Sequence, residues 1–191
     1  MHATADAHAA RASRDRLLAL LTERSYAKKR VVLASGKESD FFIDCKQTVL
    51  SAEGHALVAD VMLATLASFP AFDAVAGVEL GGCPLASAVA HRSFLLGTPR
   101  DAIYVRKDAK DHGSKRLLEG DAHLPADTRV VLLEDVVTTG GSTLKALDKL
   151  EAAGRKVVGV IALVDRLEGG RDAIAARTRF ESVFTRNDFP A

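Results

Sequence analysis

The sequence predicts an α/β protein with a central, mainly parallel sheet flanked by helices. Three observations lead there. From residue 74 onward, short aliphatic runs alternate with segments of helical periodicity, the signature of strand–helix–strand units. Two of those runs, Val130–Leu133 and Val157–Val164, are almost wholly apolar, as strands covered on both faces must be. Pro84 and Gly154 stand where a helix should begin and end. The chain has 191 residues, and residues 1–191 are expected to form a single domain.

The elements follow in order. Residues 1–12 are rich in Ala and His without a core pattern, and read as a disordered, solvated tail rather than a metal site at His2 and His8. From Arg14 to about Lys28, Leu17, Leu18 and Leu21 make one helical face. Val31–Leu33 and Phe41–Ile43 read as short strands around the polar loop Ala34–Ser39. Ser51 caps a helix running to about Ser68, and Pro70 stops it. Ala74–Val78 is a strand, Gly81-Gly82 a turn, and Pro84 opens a helix to about Phe94. Ala102–Val105 is a strand, with a long charged loop after it. Arg129–Glu134 is a strand and Ser142–Ala153 a helix, with Leu144, Leu147 and Leu150 on one side. Val157–Val164, a short helix near Asp172–Ala176 and a strand near Phe180–Phe184 close the chain. No internal repeat is present.

Composition excludes several classes. The chain is 48% hydrophobic and 27% charged, which rules out general disorder. Lys and Arg number 26 against 25 Asp and Glu, a net charge of +1, so no nucleic-acid partner is expected. No apolar run approaches the roughly 18–20 residues that span a membrane. Leu17–Leu21 is shorter than a signal-peptide core of about 7–15 residues. Cys45 and Cys83 define neither a disulfide framework nor a zinc site. The expected class is a soluble, cytoplasmic protein.

In a parallel sheet, ligands bind beyond the carboxyl ends of the strands. Four strands deliver chemistry to that edge: Glu79-Leu80-Gly81-Gly82, Arg106-Lys107, Glu134-Asp135 with the following loop, and Asp165-Arg166. The segment VVLLEDVVTTGGST, residues 130–143, says most. A buried strand brings Glu134 and Asp135 to its end. Val136, Val137, Thr138, Thr139, Gly140, Gly141 and Ser142 then lead into a helix. Small residues let backbone N–H groups converge, hydroxyls add donors, and the helix N-terminus adds partial positive charge. This is a phosphate-sized anion cradle. Two acids beside it would repel a bare phosphate. They suit a sugar phosphate whose hydroxyls donate to them, or a divalent cation between. The plainer alternative is a Gly-rich turn with Ser142 as its N-cap. No Walker A pattern occurs, and no G-x-G-x-x-G follows a strand.

This segment resembles the phosphoribosyl-diphosphate (PRPP) signature of type I phosphoribosyltransferases. Residues 104–113, YVRKDAKDHG, resemble the mobile catalytic loop of the orotate phosphoribosyltransferase family, matching at Arg106, Lys107, Lys110 and His112, then Gly113. Diphosphate leaves with several negative charges, and cations must meet charge that grows as its bond breaks. Across Arg106–Glu119 five cations face three anions, a net +2, and a closing lid excludes water. Residues 34–47, ASGKESDFFIDCKQ, resemble the family's N-terminal hood. Val164-Asp165-Arg166 resembles the Asp-Arg after a core strand.

The resemblance implies the type I phosphoribosyltransferase fold, with hood elements over about 14–50 and a mobile loop over about 106–120. It implies transfer of phosphoribosyl from PRPP to orotate in pyrimidine biosynthesis. Lys107, Lys110, His112 and Asp135 are the implied catalytic group. PRPP is bound by Arg106, Lys107, Lys110, His112, Glu134, Asp135 and Val136–Ser142. Orotate falls to Thr138, Arg166, Phe41 and Phe42. Strand alternation sends the two phenylalanines to opposite faces, so the sequence does not choose between stacking and packing for either. Arg166 suits the carboxylate that separates orotate from uracil; an ion pair with Glu168 or Asp165 is the plainer role. Mg2+ is expected with PRPP, with no protein metal site. A homodimer, its loop 106–120 serving the neighbouring site, is also implied. Two departures stand out: Ala34 and Leu80-Gly81 occupy places where many members carry lysine. They leave open a different base, a PRPP-sensing regulator or a degenerate relative. Cys83, at an expected helix N-terminus, has either a lowered pKa or a packing role.

Overall fold

The computed structural model describes residues 2–32, 38–108 and 116–190. The chain runs α1 (His2–Arg24), β1 (Tyr26–Val32), β2 (Glu38–Ile43), α2 (Lys46–Val49), α3 (Ala52–Leu66), β3 (Ala74–Val78), α4 (Gly82–Leu95), β4 (Asp101–Val105), β5 (Leu118–Glu119), β6 (Arg129–Val137), α5 (Gly141–Ala152), β7 (Lys156–Asp165), α6 (Gly170–Ala175) and β8 (Phe180–Thr185), then a 3-10 turn over Arg186–Asp188. Six strands form one sheet in the order β5-β4-β3-β6-β7-β8. All neighbours in it are parallel except β4 with β5. β1 and β2 form a separate antiparallel pair, the hood.

Alternation along β6 divides the core. Val131 and Leu133 join Val75 and Ile161 beneath α1, α3 and α4, through Leu17, Leu21, Met62, Leu85 and Val89. Val130 and Leu132 face the other way, with Ala76, Ile103 and Val160 against Leu147, Leu150 and Ile174 of α5 and α6. Leu132, Leu133, Leu150 and Ile161 are fully buried. Each such side chain contributes roughly 1.5–3 kcal/mol through burial.

The caps explain the boundaries. Ser51 accepts the Gly54 N–H at 3.1 Å and starts α3. Gly154 has φ +80 and ends α5, a left-handed position that suits glycine. Three expectations are corrected. The helix does not begin near Arg14: α1 runs from His2, because the alanines among residues 1–12 are strong helix formers that extend an anchored helix without a new nucleus. β6 does not stop at Glu134 but continues to Val137 through pairing with β7 up to Val137↔Asp165. The helix expected from Ser142 begins one residue earlier, at Gly141, with Gly140, φ +81, as its N-cap. β5 was not expected at all. It exists through two pairs only, Tyr104↔Glu119 and Val105↔Leu118.

Candidate active site

β3 and β6 are adjacent, yet the chain leaves β3 toward β4 on one side and returns on the other. This is the switch point at which a crevice opens beyond the strand ends. Glu134 and Asp135 lie at it on β6, and Glu79–Gly82 lies at it after β3. The Glu79–Leu80 peptide is cis.

The acids do not act as a matched pair, because successive residues of a strand point to opposite faces. Glu134 shares the face of Leu132 and turns toward α5. It is 4% exposed, and its Oε2 accepts the hydroxyls of Ser142 at 3.3 Å and Thr143 at 3.1 Å. Burial, and then the charge of Asp135, push its pKa up to about 8. Asp135 turns toward α4 and the hood, half-buried. Its Oδ1 accepts the Val136 N–H at 2.9 Å. Burial raises its pKa too, against the opposing charge of Lys46 and the Val136 N–H. A Cβ at Gly81 would lie 2.0 Å from Asp135 Oδ2. Glycine here is therefore a spatial requirement of the acid, and it accounts for Gly81 where a lysine was expected.

The loop after β6 passes through Thr138 and Thr139 to Gly140, whose φ of +81 turns it into α5. The first N–H groups of any helix lack partners within it, and here they face the same strand ends as Asp135. The Thr138 carbonyl accepts the Gly170 N–H at 3.0 Å, and the Val137 carbonyl accepts the Arg166 N–H at 2.9 Å. These bonds tie the cradle to the segment after β7.

Arg166 is nearly buried. Its Nη2 donates to the Phe41 carbonyl at 2.9 Å and pairs with Glu168 at 3.0 Å. It bridges the sheet edge to the hood. The Glu168 alternative thus holds for one contact, while Asp165 pairs with Arg171 instead at 3.0 Å. Phe41 is core: its ring lies 5.2 Å from Tyr26 and 5.5 Å from Phe189. Phe42 is half-buried, with the Lys29 ammonium 3.7 Å over its face.

On the lid side, Arg106, half-buried, pairs with Glu119 at 3.5 Å, and Lys107 is exposed. A cavity of about 290 Å³ opens between them and α5, lined by Val78, Val105, Lys107, Ser142, Lys145 and Lys149 among others. Lys110 and His112 lie outside the described residues. Of the two readings for Cys83, packing fits: burial, and then Glu79, push its thiol up to about 11. Sequence reasoning missed Thr143 and Lys149, and placed Glu79 at the binding edge without giving it a role. Thr143 stood in the quoted loop but one turn too deep to seem functional. Nothing in the sequence signalled the partners of Glu79 and Lys149.

Among the described residues no group of three or more His, Cys, Asp or Glu side chains could hold a metal ion. Two under-neutralised acids do fit an ion held mainly by substrate oxygens and water, the usual manner of Mg2+.

A switch-point crevice with paired acids and an anion cradle defines a phosphoribosyltransferase, and the family model described as phosphoribosyl transferase domain matches residues 55–187. An orotate phosphoribosyltransferase of Sorangium cellulosum (strain So ce56) is 66% identical over 92% of this chain and 92% of its own. One of Bradyrhizobium sp. (strain ORS 278) is 41% identical over 93% of this chain and 97% of its own. The crystal structure of Mycobacterium tuberculosis H37Rv orotate phosphoribosyltransferase in complex with PRPP matches with a TM-score of 0.75 and 33% identity, over 92% of this chain and 98% of that one. The chain belongs to the orotate phosphoribosyltransferase family.

Proposed function

We propose that the chain transfers the 5-phosphoribosyl group of PRPP to orotate, giving orotidine 5-monophosphate and diphosphate. The observation that carries this is Asp135, set at the switch point against Gly81 and beside the cradle that opens α5. In this reading Val136–Ser142 hold the 5-phosphate. Asp135 accepts from the ribose hydroxyls, and Glu134 orders the cradle through Ser142 and Thr143. Arg166, at the hood contact, meets the orotate carboxylate, with Thr138 beside it and the Phe41–Phe42 segment as the wall.

A ring nitrogen of orotate, its N–H proton passing to solvent, attacks C1 of the ribose. The bond from C1 to the diphosphate oxygen breaks, and its electron pair leaves with diphosphate. Lys107, with Arg106, Lys110 and His112, meets that growing charge. Mg2+, when bound with PRPP, neutralises diphosphate oxygens. No covalent enzyme intermediate is needed, so catalysis is positioning and charge stabilisation.

A homodimer whose 106–120 loops serve neighbouring sites belongs to the same reading. Phe94 at 71%, Leu95 at 60% and Leu96 at 55% exposure at the end of α4 support a covered face there; sedimentation should report twice the chain mass. No described helix is long and apolar enough to cross a membrane, in keeping with a cytoplasmic setting. The deciding experiment follows orotate absorbance after mixing with PRPP and Mg2+, with uracil, adenine and hypoxanthine run alongside. A fall with orotate alone is expected. A folded protein that prefers another base, or consumes none, overturns the reading.

A further inference from the structure

The lid leaves and rejoins the sheet through a closed base. Val105 pairs with Leu118, and the Arg106 N–H donates to the Leu117 carbonyl at 2.9 Å. Just beyond, at Lys107, the chain is gripped again by side chains from two other elements. Glu79, directly after β3, accepts the Lys107 N–H at 2.7 Å. Lys149, in the last turn of α5, donates from its ammonium to the carbonyl of Arg106 at 2.7 Å and to that of Lys107 at 2.6 Å. The peptide groups on both sides of Lys107 are thus held, one N–H by an acid and two carbonyls by a base. Bonds with one ionised partner are the stronger kind.

Lys149 is also placed between the two stems of the lid. It borders the 290 Å³ cavity beside Arg106–Asp108 and a second cavity of about 480 Å³ beside Arg116–Leu118. An exposed lysine would extend into water; this one is half-buried, with its charge directed to main-chain oxygens. No carboxylate pairs with it among the described residues. The same helix begins in the phosphate cradle, eight residues earlier at Gly141, about 12 Å along its axis. One rigid rod carries the cradle at its start and a grip on the lid near its end.

We propose that Lys149, with Glu79 opposite it, is a positioning residue: it fixes the backbone of Lys107 relative to the phosphate cradle, so that the Lys107 cation stands in register with the departing diphosphate. The proposal rests on the phosphoribosyl-transfer reading above. Misplacing a catalytic group by about 1 Å can cost up to roughly 100-fold in rate.

Lys149→Met keeps the aliphatic stem and removes the donors. It is expected to lower kcat roughly tenfold, with the KM for PRPP changing less than about threefold because the cradle itself is untouched. Amide exchange of residues 106–108 in the free protein should quicken at least about tenfold, while the rest of the chain keeps its protection. Lys149→Arg, which can still donate to both carbonyls, should restore most of both. Unchanged exchange at 106–108, or unchanged kcat in an active enzyme, overturns the proposal. So does exchange that quickens throughout the chain in both variants, the mark of a general packing role. A wild-type protein inactive on orotate sinks the transferase reading instead, and the exchange measurement on free protein still decides whether the grip exists.

Discussion

Neighbouring strands β6 and β7 each carry a buried acid near the carboxyl end, and the two are surrounded in opposite ways. At the end of β7, Asp165 is wholly buried, and both its oxygens are engaged. Oδ1 accepts the Leu167 N–H at 2.9 Å, and Oδ2 accepts from Arg171 at 3.0 Å. Arg171 continues to Ser182 at 2.8 Å. Near the end of β6, Glu134 is almost as buried, and its partners are the hydroxyls of Ser142 and Thr143 and the carboxyl of Asp135. No Lys or Arg forms an ion pair with it among the described residues, and its neighbour Asp135 is another acid. Similar burial thus gives a neutralised acid on one strand and an acid with its pKa pushed up to about 8 on the next. A buried carboxylate with its own counter-charge is architecture. A pair without an ion-pair partner of its own, Asp135 feeling only the nearby charge of Lys46, is where the proposed function sets the ligand.

The largest effect should come from closing the space that the open end depends on. Gly81 has φ −67, so its backbone would accept any residue; only room forbids one. In Gly81→Ala the new methyl must expel the Asp135 carboxylate, 2.0 Å away in the unaltered position. The variant should fold, bind PRPP at least about 100-fold more weakly by calorimetry, and lose turnover in proportion, roughly 3 kcal/mol. Wild-type affinity in Gly81→Ala would remove Asp135 from the binding site. In the proposed reaction Lys107 supplies a cation that the open end lacks. Lys107→Ala should therefore reduce turnover by about 100-fold, as losing one preorganised donor does. Near-normal turnover would refute that lysine's role.

Next in size is a change that gives β7 the defect of β6. Arg171→Met leaves Asp165 buried beside a single N–H donor. Breaking a buried pair costs about 3–5 kcal/mol. Arg171 is itself 42% exposed, and solvent screening reduces that figure, so roughly 2 kcal/mol is expected. For a chain of this size that is a fall in melting temperature of about 4–8 °C. An unchanged melting curve would show that Asp165 needs no counter-charge.

The contrast also marks what was legible in the sequence. Val130–Leu133 announced the central strand, and the strand ends on one edge were located from the order of elements alone. Glu134, Asp135, the cradle and Arg166 were named because they are contiguous or follow a strand directly. Period-two alternation could have separated Glu134 from Asp135, since it places neighbours on opposite faces whatever the fold. Their partners could not be read. Gly81 lies more than fifty residues from Asp135, and Lys149 meets the lid stem only because α5 packs behind it. Arg171 is near Asp165 in sequence, but nothing local distinguishes it from a solvated surface arginine. β5 has two residues, too few to carry any periodicity. Phe41 and Phe42 were correctly split by alternation, though not which ring would enter the core.

The last effect is the most diagnostic of the open end, because it works in the other direction. Glu134→Gln removes the charge that β6 fails to neutralise while keeping nearly the same shape. The acid's folded pKa of about 8 lies above its ordinary value of 4.5. Between those values the folded protein holds a proton that the unfolded chain releases. The group's contribution to stability is therefore full below pH 4.5 and is lost as pH rises through 8. Glutamine is neutral throughout and loses nothing. The melting temperature of Glu134→Gln, measured against wild type without ligand, should differ little at pH 5. The variant should lead at pH 8.5, and the step from 4.5 to about 8 sets an upper bound of roughly 5 kcal/mol on that gain. The orotate assay should show lower activity despite the firmer fold, the trade expected where a site is kept electrostatically unbalanced for its ligand. A melting difference that stays flat from pH 5 to 8.5 would mean that Glu134 is as well neutralised as Asp165, and the contrast between the two strand ends would vanish.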